Sequence, residues 1–187
     1  MVIIVPHQDD EIFCYSLLRK VEKLIVVFKG GGEPKGYILD PEELYKRRCN
    51  ETLKTCEEMG VKDVSFLGVQ RPYTKEDLDV AIRSVFERKH FDIVVTTLPI
   101  ENHPDHIALG KAVPRFCSAD ELYGFIVHTK TLVDYSNKVK PSEIFELTDE
   151  EYAHKIRLAN NYKTQKHFLP NVIKRKVYKT ELYWRMR

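Results

Sequence analysis

Two short stretches concentrate groups that bind metals or move protons. The first is His7-Gln8-Asp9-Asp10-Glu11, directly after the apolar run Val2–Val5 and Pro6. An imidazole and three carboxylates crowded there repel one another unless a cation or a proton offsets the charge. The second is His103-Pro104-Asp105-His106. Together they offer His7, Asp9, Asp10, His103 and His106 as candidate ligands. Hydrolytic zinc sites take three protein ligands and keep a position for water. A histidine–aspartate set suits zinc, with manganese and iron(II) as alternatives. The groups left over would serve as a base for the proton of water and as an acid or cation for the far side of the reaction.

The elements around these stretches must bring them together. Val2–Val5 reads as a buried strand, and Asp9 or Asp10 as the cap of a helix through Ile12, Phe13, Leu17, Leu18 and Val21. Residues 24–28, Asp63–Val69, 91–98 and 122–128 read as further strands. Shorter ones are expected at 132–133 and 143–147, and an edge strand at 178–186. Helices are expected from Pro41 to Met59 with Gly60 closing, from Thr74 with Asp77 in a capping box to about 89, over 107–116, and over 149–166. Strands alternating with helices predict an α/β chain: a Rossmann-like three-layer sandwich around a mostly parallel sheet of order 3-2-1-4-5. In that order the first and fourth strands are neighbours where the winding reverses. Ligands bind beyond the strand ends at such a point. Both clusters follow those two strands.

Length and composition narrow the class. The chain has 187 residues, 43% apolar and 31% charged, which fits one globular domain over residues 1–187. A net charge of +2 is too small to mark a nucleic-acid binder. No run approaches the roughly 20 apolar residues of a membrane span, and the first residues lack the basic start of a signal peptide. Cys14, Cys49, Cys56 and Cys117 show no CxxC spacing and read as reduced, which predicts a cytoplasmic protein. A homo-oligomer stays open.

The pair PHQDDE and HPDH resembles the LmbE-like or PIG-L zinc deacetylases, whose first motif is usually AHPDDE and whose second is HxDH or HPDH. Arg48-x-x-Glu51 followed by Met59-Gly60 resembles the family's Arg-x-x-Glu helix. Gly32-Glu33 resembles its glycine–glutamate loop, and Tyr162-Lys163-Thr164-Gln165 its late helix motif. The resemblance runs from residue 2 to about 165. It implies His7, Asp10 and His106 as zinc ligands, with Asp9 as general base. His103, protonated, would steady the oxyanion or protonate the leaving amine. Asp105 would orient a histidine, Arg48 would lie near the substrate, and Glu11 would stand behind the ligands. The implied reaction removes an acetyl group from a small N-acetylated amine, an amino-sugar conjugate of the N-acetylglucosamine type. The chain departs from the pattern at Gln8, where proline is usual, and at Glu101 and Asn102, where aromatic or glycine residues are common.

Other features have plainer readings. Arg47 and Arg48 also fit a solvated helix face. Gly30-Gly31-Gly32 has neither P-loop nor dinucleotide spacing and reads as a turn. His90, His128, His154 and His167 have no motif partners and read as structural. The basic run from Lys163 to Arg187 reads as a solvated face, or else as a guide for an anionic substrate. Two rivals to the deacetylase are a two-metal phosphoesterase and a non-catalytic protein with a closed four-ligand site.

Overall fold

A computed structural model describes residues 1–30, 40–166 and 168–187. The strands are β1 (Val2–Val5), β2 (Lys23–Phe28), β3 (Asp63–Val69), β4 (Ile93–Thr97), β5 (Glu121–Phe125), β6 (Glu143–Glu146) and β7 (Thr180–Arg185). They form one sheet of order β3-β2-β1-β4-β5-β7-β6. Neighbours from β3 through β5 pair in parallel, whereas β7 is antiparallel to β5 and β6 antiparallel to β7.

The expected 3-2-1-4-5 order is therefore the parallel part of a longer sheet. The C-terminal strand returns beside β5 and is internal, where an edge strand was expected. It buries Tyr183 and Trp184 and pairs on both sides. The edge falls to β6, which is short, largely exposed and carries Glu143 and Glu146, features that discourage further pairing. Residues 132–133 lie in a helix, α5 (Thr129–Ser136), not in a strand.

Side chains alternate across the parallel strands. Ile3, Val5, Leu24 and Val26 share one core with Cys56, Met59 and Leu158. Val2, Ile4, Ile25 and Val27 share the other with Leu78, Ile82, Leu109 and Val113. Burial on both faces explains why these strands are continuous apolar runs.

The remaining helices are α1 (Tyr15–Leu18), α2 (Pro41–Met59), α3 (Lys75–Arg88), α4 (Pro104–Phe116), α6 (Asp149–Ala159) and α7 (Leu169–Ile173). The ends of α2 and α3 follow local rules. Asp40 Oδ1 accepts from the amides of Glu42 (2.9 Å) and Glu43 (3.2 Å), and Gly60 closes α2 at φ 79°. Thr74 and Asp77 form the capping box of α3. Two expected helices are interrupted. The first begins as a 3-10 turn, Asp10–Cys14, in which every residue is buried. The helix from Asp149 stops at Ala159 and a separate 3-10 turn spans Lys163–Gln165.

The site depends on the seat of α4. Parallel pairing of Val2 with Val94 and Ile3 with Val95 sends the chain out of β1 and β4 at the same end. Thr97 Oγ1 donates to the carbonyl of His106 at 3.1 Å. A Cβ on Gly110 would lie 2.6 Å from the Thr97 carbonyl oxygen, so only glycine lets α4 approach β4 this closely.

Candidate active site

The two clusters meet where the sheet order predicts. Asp10 Oδ2 accepts from the His7 backbone amide at 3.0 Å. The same oxygen lies 3.3 Å from His7 Nδ1 and 3.3 Å from His106 Nε2. Ligand distances of about 2.0–2.1 Å in a tetrahedron place neighbouring donors about 3.3 Å apart, the spacing of Asp10 from each of the two histidines. His103 also stands here: nitrogens of His7, His103 and His106 lie within 4.8 Å of one another.

The charges make the same case. Burial would lower the His106 imidazolium, but Asp10 and Glu101 override it and raise its pKa to about 10. Burial likewise opposes protonation of His7, and Asp10 and Asp105 win there too. Burial would raise the Asp10 carboxyl, yet His106 and His7 hold it well below its usual range. The cluster thus demands positive charge, which a divalent cation supplies as readily as protons do.

Asp105 lies against His7. Its Oδ2 lies 2.8 Å from His7 Nε2, while its Oδ1 accepts from Arg71 Nε (2.9 Å), Arg71 Nη2 (2.6 Å) and Tyr73 Oη (2.6 Å). These donors hold the Asp105 carboxyl below the usual range against burial. If Nδ1 were to ligate a metal, the ring proton would sit at Nε2, from which Asp105 Oδ2 would accept a hydrogen bond.

Asp9 is held in an unusual backbone state, φ 118° and ψ −22°. Its amide donates to Glu11 Oε2 at 2.9 Å, and Glu11 Oε1 accepts from Tyr162 Oη at 2.5 Å. Glu11, fully buried, props the strained turn from behind. The Asp9 side chain keeps 14% exposure, and Arg48 Nη2 lies 3.5 Å from its Oδ2. Burial pushes the Asp9 carboxyl up to about 7, with Arg48 working against and Asp10 and Glu11 working with that shift. Arg48 also donates to the Gln8 carbonyl at 2.8 Å. It lies in the wall of the site, buried, and so is not on a solvated helix face.

His103 caps α4: its Nδ1 accepts from the Asp105 amide at 3.3 Å. Burial and the neighbouring His7 and His106 lower its pKa to about 4. That shift favours the neutral ring over the expected imidazolium, and a ring whose Nδ1 accepts from the Asp105 amide carries its N–H at Nε2.

Sequence reasoning missed four residues, Arg71, Tyr73, Glu101 and His128. Arg71 and Tyr73 follow β3 at the same end of the sheet, a signal that was available. Buried Glu101 accepts from the Val127 amide and lies 2.7 Å from His128 Nδ1 and 3.8 Å from His106 Nδ1. His128 is thus part of the site wall, 5.4 Å from His106 between ring centres. The weaker motifs converge as well: Thr164 donates from N (2.9 Å) and Oγ1 (2.5 Å) to Glu51. Gly32-Glu33 and His167 lie outside the described residues. His7, Asp9, Asp10, Arg48, His103, His106 and His128 face a cavity of about 580 Å³, lined also by Phe13, Val127, Phe168, Leu169 and Val172.

The model of the PIG-L family, described as GlcNAc-PI de-N-acetylase, matches residues 2–117. The chain belongs to the PIG-L family. A relative from Bacillus subtilis, a probable N-acetyl-alpha-D-glucosaminyl L-malate deacetylase 2, is 26% identical over 132 residues, 62% of this chain and 59% of that protein. The chain thus matches somewhat under two thirds of this curated relative's length. An N,N'-diacetylchitobiose deacetylase from Pyrococcus horikoshii superposes with a TM-score of 0.71 at 19% identity, over 99% of this chain and 82% of that one. A 4-carboxy-2-hydroxymuconate hydratase from Pseudomonas putida gives 0.70 at 14% identity, over 93% and 82%. These two share the fold, and the PIG-L fold therefore carries more than one reaction. No helix among the described residues is long and apolar enough to cross a membrane.

Proposed function

We propose that residues 1–187 act as one zinc-dependent N-deacetylase, hydrolysing the acetamide of an N-acetylglucosamine-type sugar conjugate. The observation that carries this reading is the meeting of His7 and His106 on one oxygen of Asp10 at the floor of the cavity. These three residues would hold the metal. When bound, zinc supplies Lewis acidity, which eases deprotonation of water and polarises the amide carbonyl.

The other residues divide the proton work. Asp9, with a pKa near 7, takes a proton from water at Oδ as the oxygen adds to the carbonyl carbon. His103 donates its Nε2–H to the carbonyl oxygen as charge builds there. The C–N bond then breaks, and the proton held by Asp9 passes to the nitrogen. Acetamide and water become acetic acid and an amine, and the acid's proton then passes to the amine, so that acetate and an ammonium group leave with atoms and charge in balance. Arg48 holds Asp9 in place and borders the bound sugar.

The test is acetate and amine release from a panel of N-acetylglucosamine conjugates, with metal analysis. About one zinc per chain is expected, removable by chelator with loss of turnover. Asp9→Asn should keep the metal and lower turnover by about 10²-fold or more. Unchanged turnover in that variant overturns the mechanism. A second donor group, Glu101, His106 and His128, lies within 4.8 Å. Two metals per chain with phosphate ester hydrolysis would favour a phosphoesterase instead.

A further inference from the structure

Glu101 and His128 stand together in the wall of the site, and the deacetylation steps above use neither. The Glu101 side chain has no exposure, and it spends its acceptors on the chain that follows β5. Its Oε1 accepts from the Val127 amide, and its Oε2 accepts from the His128 amide at 3.4 Å. Oε2 also lies 2.7 Å from His128 Nδ1, within hydrogen-bonding reach, whereas Oε1 is 3.8 Å from His106 Nδ1. The carboxylate stands between two imidazoles and bonds one of them, His128.

That bond decides what His128 shows to the cavity. When the ring is neutral, the buried carboxylate takes the proton at Nδ1 and leaves a lone pair at Nε2. Nε2 has no partner among the described residues and is not sealed from solvent. The side chain keeps 35% exposure, and the residue lines the cavity. Its ring centre is 5.4 Å from that of His106, which seats the ring beside the metal trio. The wall thus offers a hydrogen-bond acceptor there whose tautomer is set from behind. A ligand with its acetamide over His7, Asp10 and His106 has its nitrogen committed to Asp9 and its carbonyl oxygen to His103. The donors left to it are the hydroxyl groups of the sugar ring.

We infer that His128 Nε2 accepts a hydrogen bond from one ring hydroxyl of the sugar, and that Glu101 is the positioning residue that keeps the lone pair there. The inference rests on the deacetylase reading for where the acetamide sits, and the test separates the two. Binding of methyl glucosaminide and of its 3-, 4- and 6-deoxy and deoxyfluoro analogues, none of which can be deacetylated, is measured by calorimetry on the zinc-loaded chain at pH 8. One deoxy sugar should bind about fivefold weaker than the parent sugar, which names the hydroxyl, and its fluoro counterpart, unable to donate, should bind as weakly. In His128→Phe both ratios should fall toward one. In Glu101→Gln the amide oxygen keeps the Val127 N–H and the NH₂ turns to His128 Nδ1, so the ring proton moves to Nε2. The fluoro sugar should then regain affinity that the deoxy sugar does not. Each ratio is read within one preparation, so misfolded protein does not alter it. Failure of the parent sugar to bind, or equal binding of all the analogues, overturns the inference, as does a penalty that survives His128→Phe. A fluorine penalty unchanged in Glu101→Gln overturns the part given to Glu101. A second zinc that is lost in His128→Phe would make the pair metal ligands and overturn the inference as well. Acetate release from the N-acetylated forms is followed separately. If none is released but the hydroxyl preference holds, the deacetylase reading fails and the recognition by His128 stands.

Discussion

Replacing Asp105 by Asn changes one atom and should weaken metal binding sharply. Asp105 accepts at both oxygens: His7 Nε2 lies 2.8 Å from Oδ2, and Arg71 and Tyr73 donate three bonds to Oδ1. An asparagine offers one oxygen and one NH₂ group. If the oxygen stays with Arg71 and Tyr73, the NH₂ faces the Nε2–H that His7 needs when Nδ1 binds a metal. If the amide flips, the NH₂ faces three donors instead. Each orientation sets the NH₂ group against at least one other donor in a fully buried position. Loss of such an orienting partner costs metal affinity about 10- to 100-fold, or about 1.4 to 2.8 kcal/mol. Competition against a chromophoric chelator at pH 7 measures this directly. Tyr73→Phe is the graded comparison, since it removes one donor and leaves both Arg71 bonds; it should weaken affinity less. An Asp105→Asn chain that binds zinc within twofold of the parent would show that Asp105 does not set the His7 tautomer.

Three further outcomes are expected. Tyr162→Phe removes the donor to Glu11 and should lower stability by about 1–3 kcal/mol in urea unfolding; a smaller loss would mean that Glu11 does not depend on it. Lys155→Met should cost about 3–5 kcal/mol, because the fully buried Lys155 Nζ lies 2.6 Å from Glu181 Oε1 and the carboxylate would be left without its cation; a neutral result refutes the ion pair. Metal affinity should rise with pH from 6.5 toward 10, because His106, raised to about 10 by Asp10 and Glu101 against burial, must lose its proton to bind. The same shift makes the chelator-treated chain less stable over that window: the folded pKa lies above the unfolded one, so its contribution is complete below about 6.5 and lost as pH passes 10. Metal affinity that is flat with pH contradicts the assignment.

What could be read from the sequence was whatever depends on partners close in the chain or on a repeated pattern. The Gly60 close of α2 and the Thr74–Asp77 box need only residues three or four positions away. The parallel strands announce themselves as continuous apolar runs because both faces are covered. The meeting of His7 with His106 needed one inference more, the placing of β1 beside β4, and the handedness of crossovers nearly dictates it. The antiparallel β7–β6 extension has no such rule. A strand may return to either edge, and Thr180–Arg185 alternates weakly because it is packed from both sides and both neighbours. The wall of the site was hidden for a related reason. His128 looks idle in sequence, and it acquires a role only when a carboxylate 27 positions earlier, Glu101, is folded against it. Glu101 in turn looks like a departure from the family pattern until its buried partners are seen. Here that contact joins the start of α4 to the loop after β5, so the feature that obscured the pocket in sequence is the one that shapes its wall.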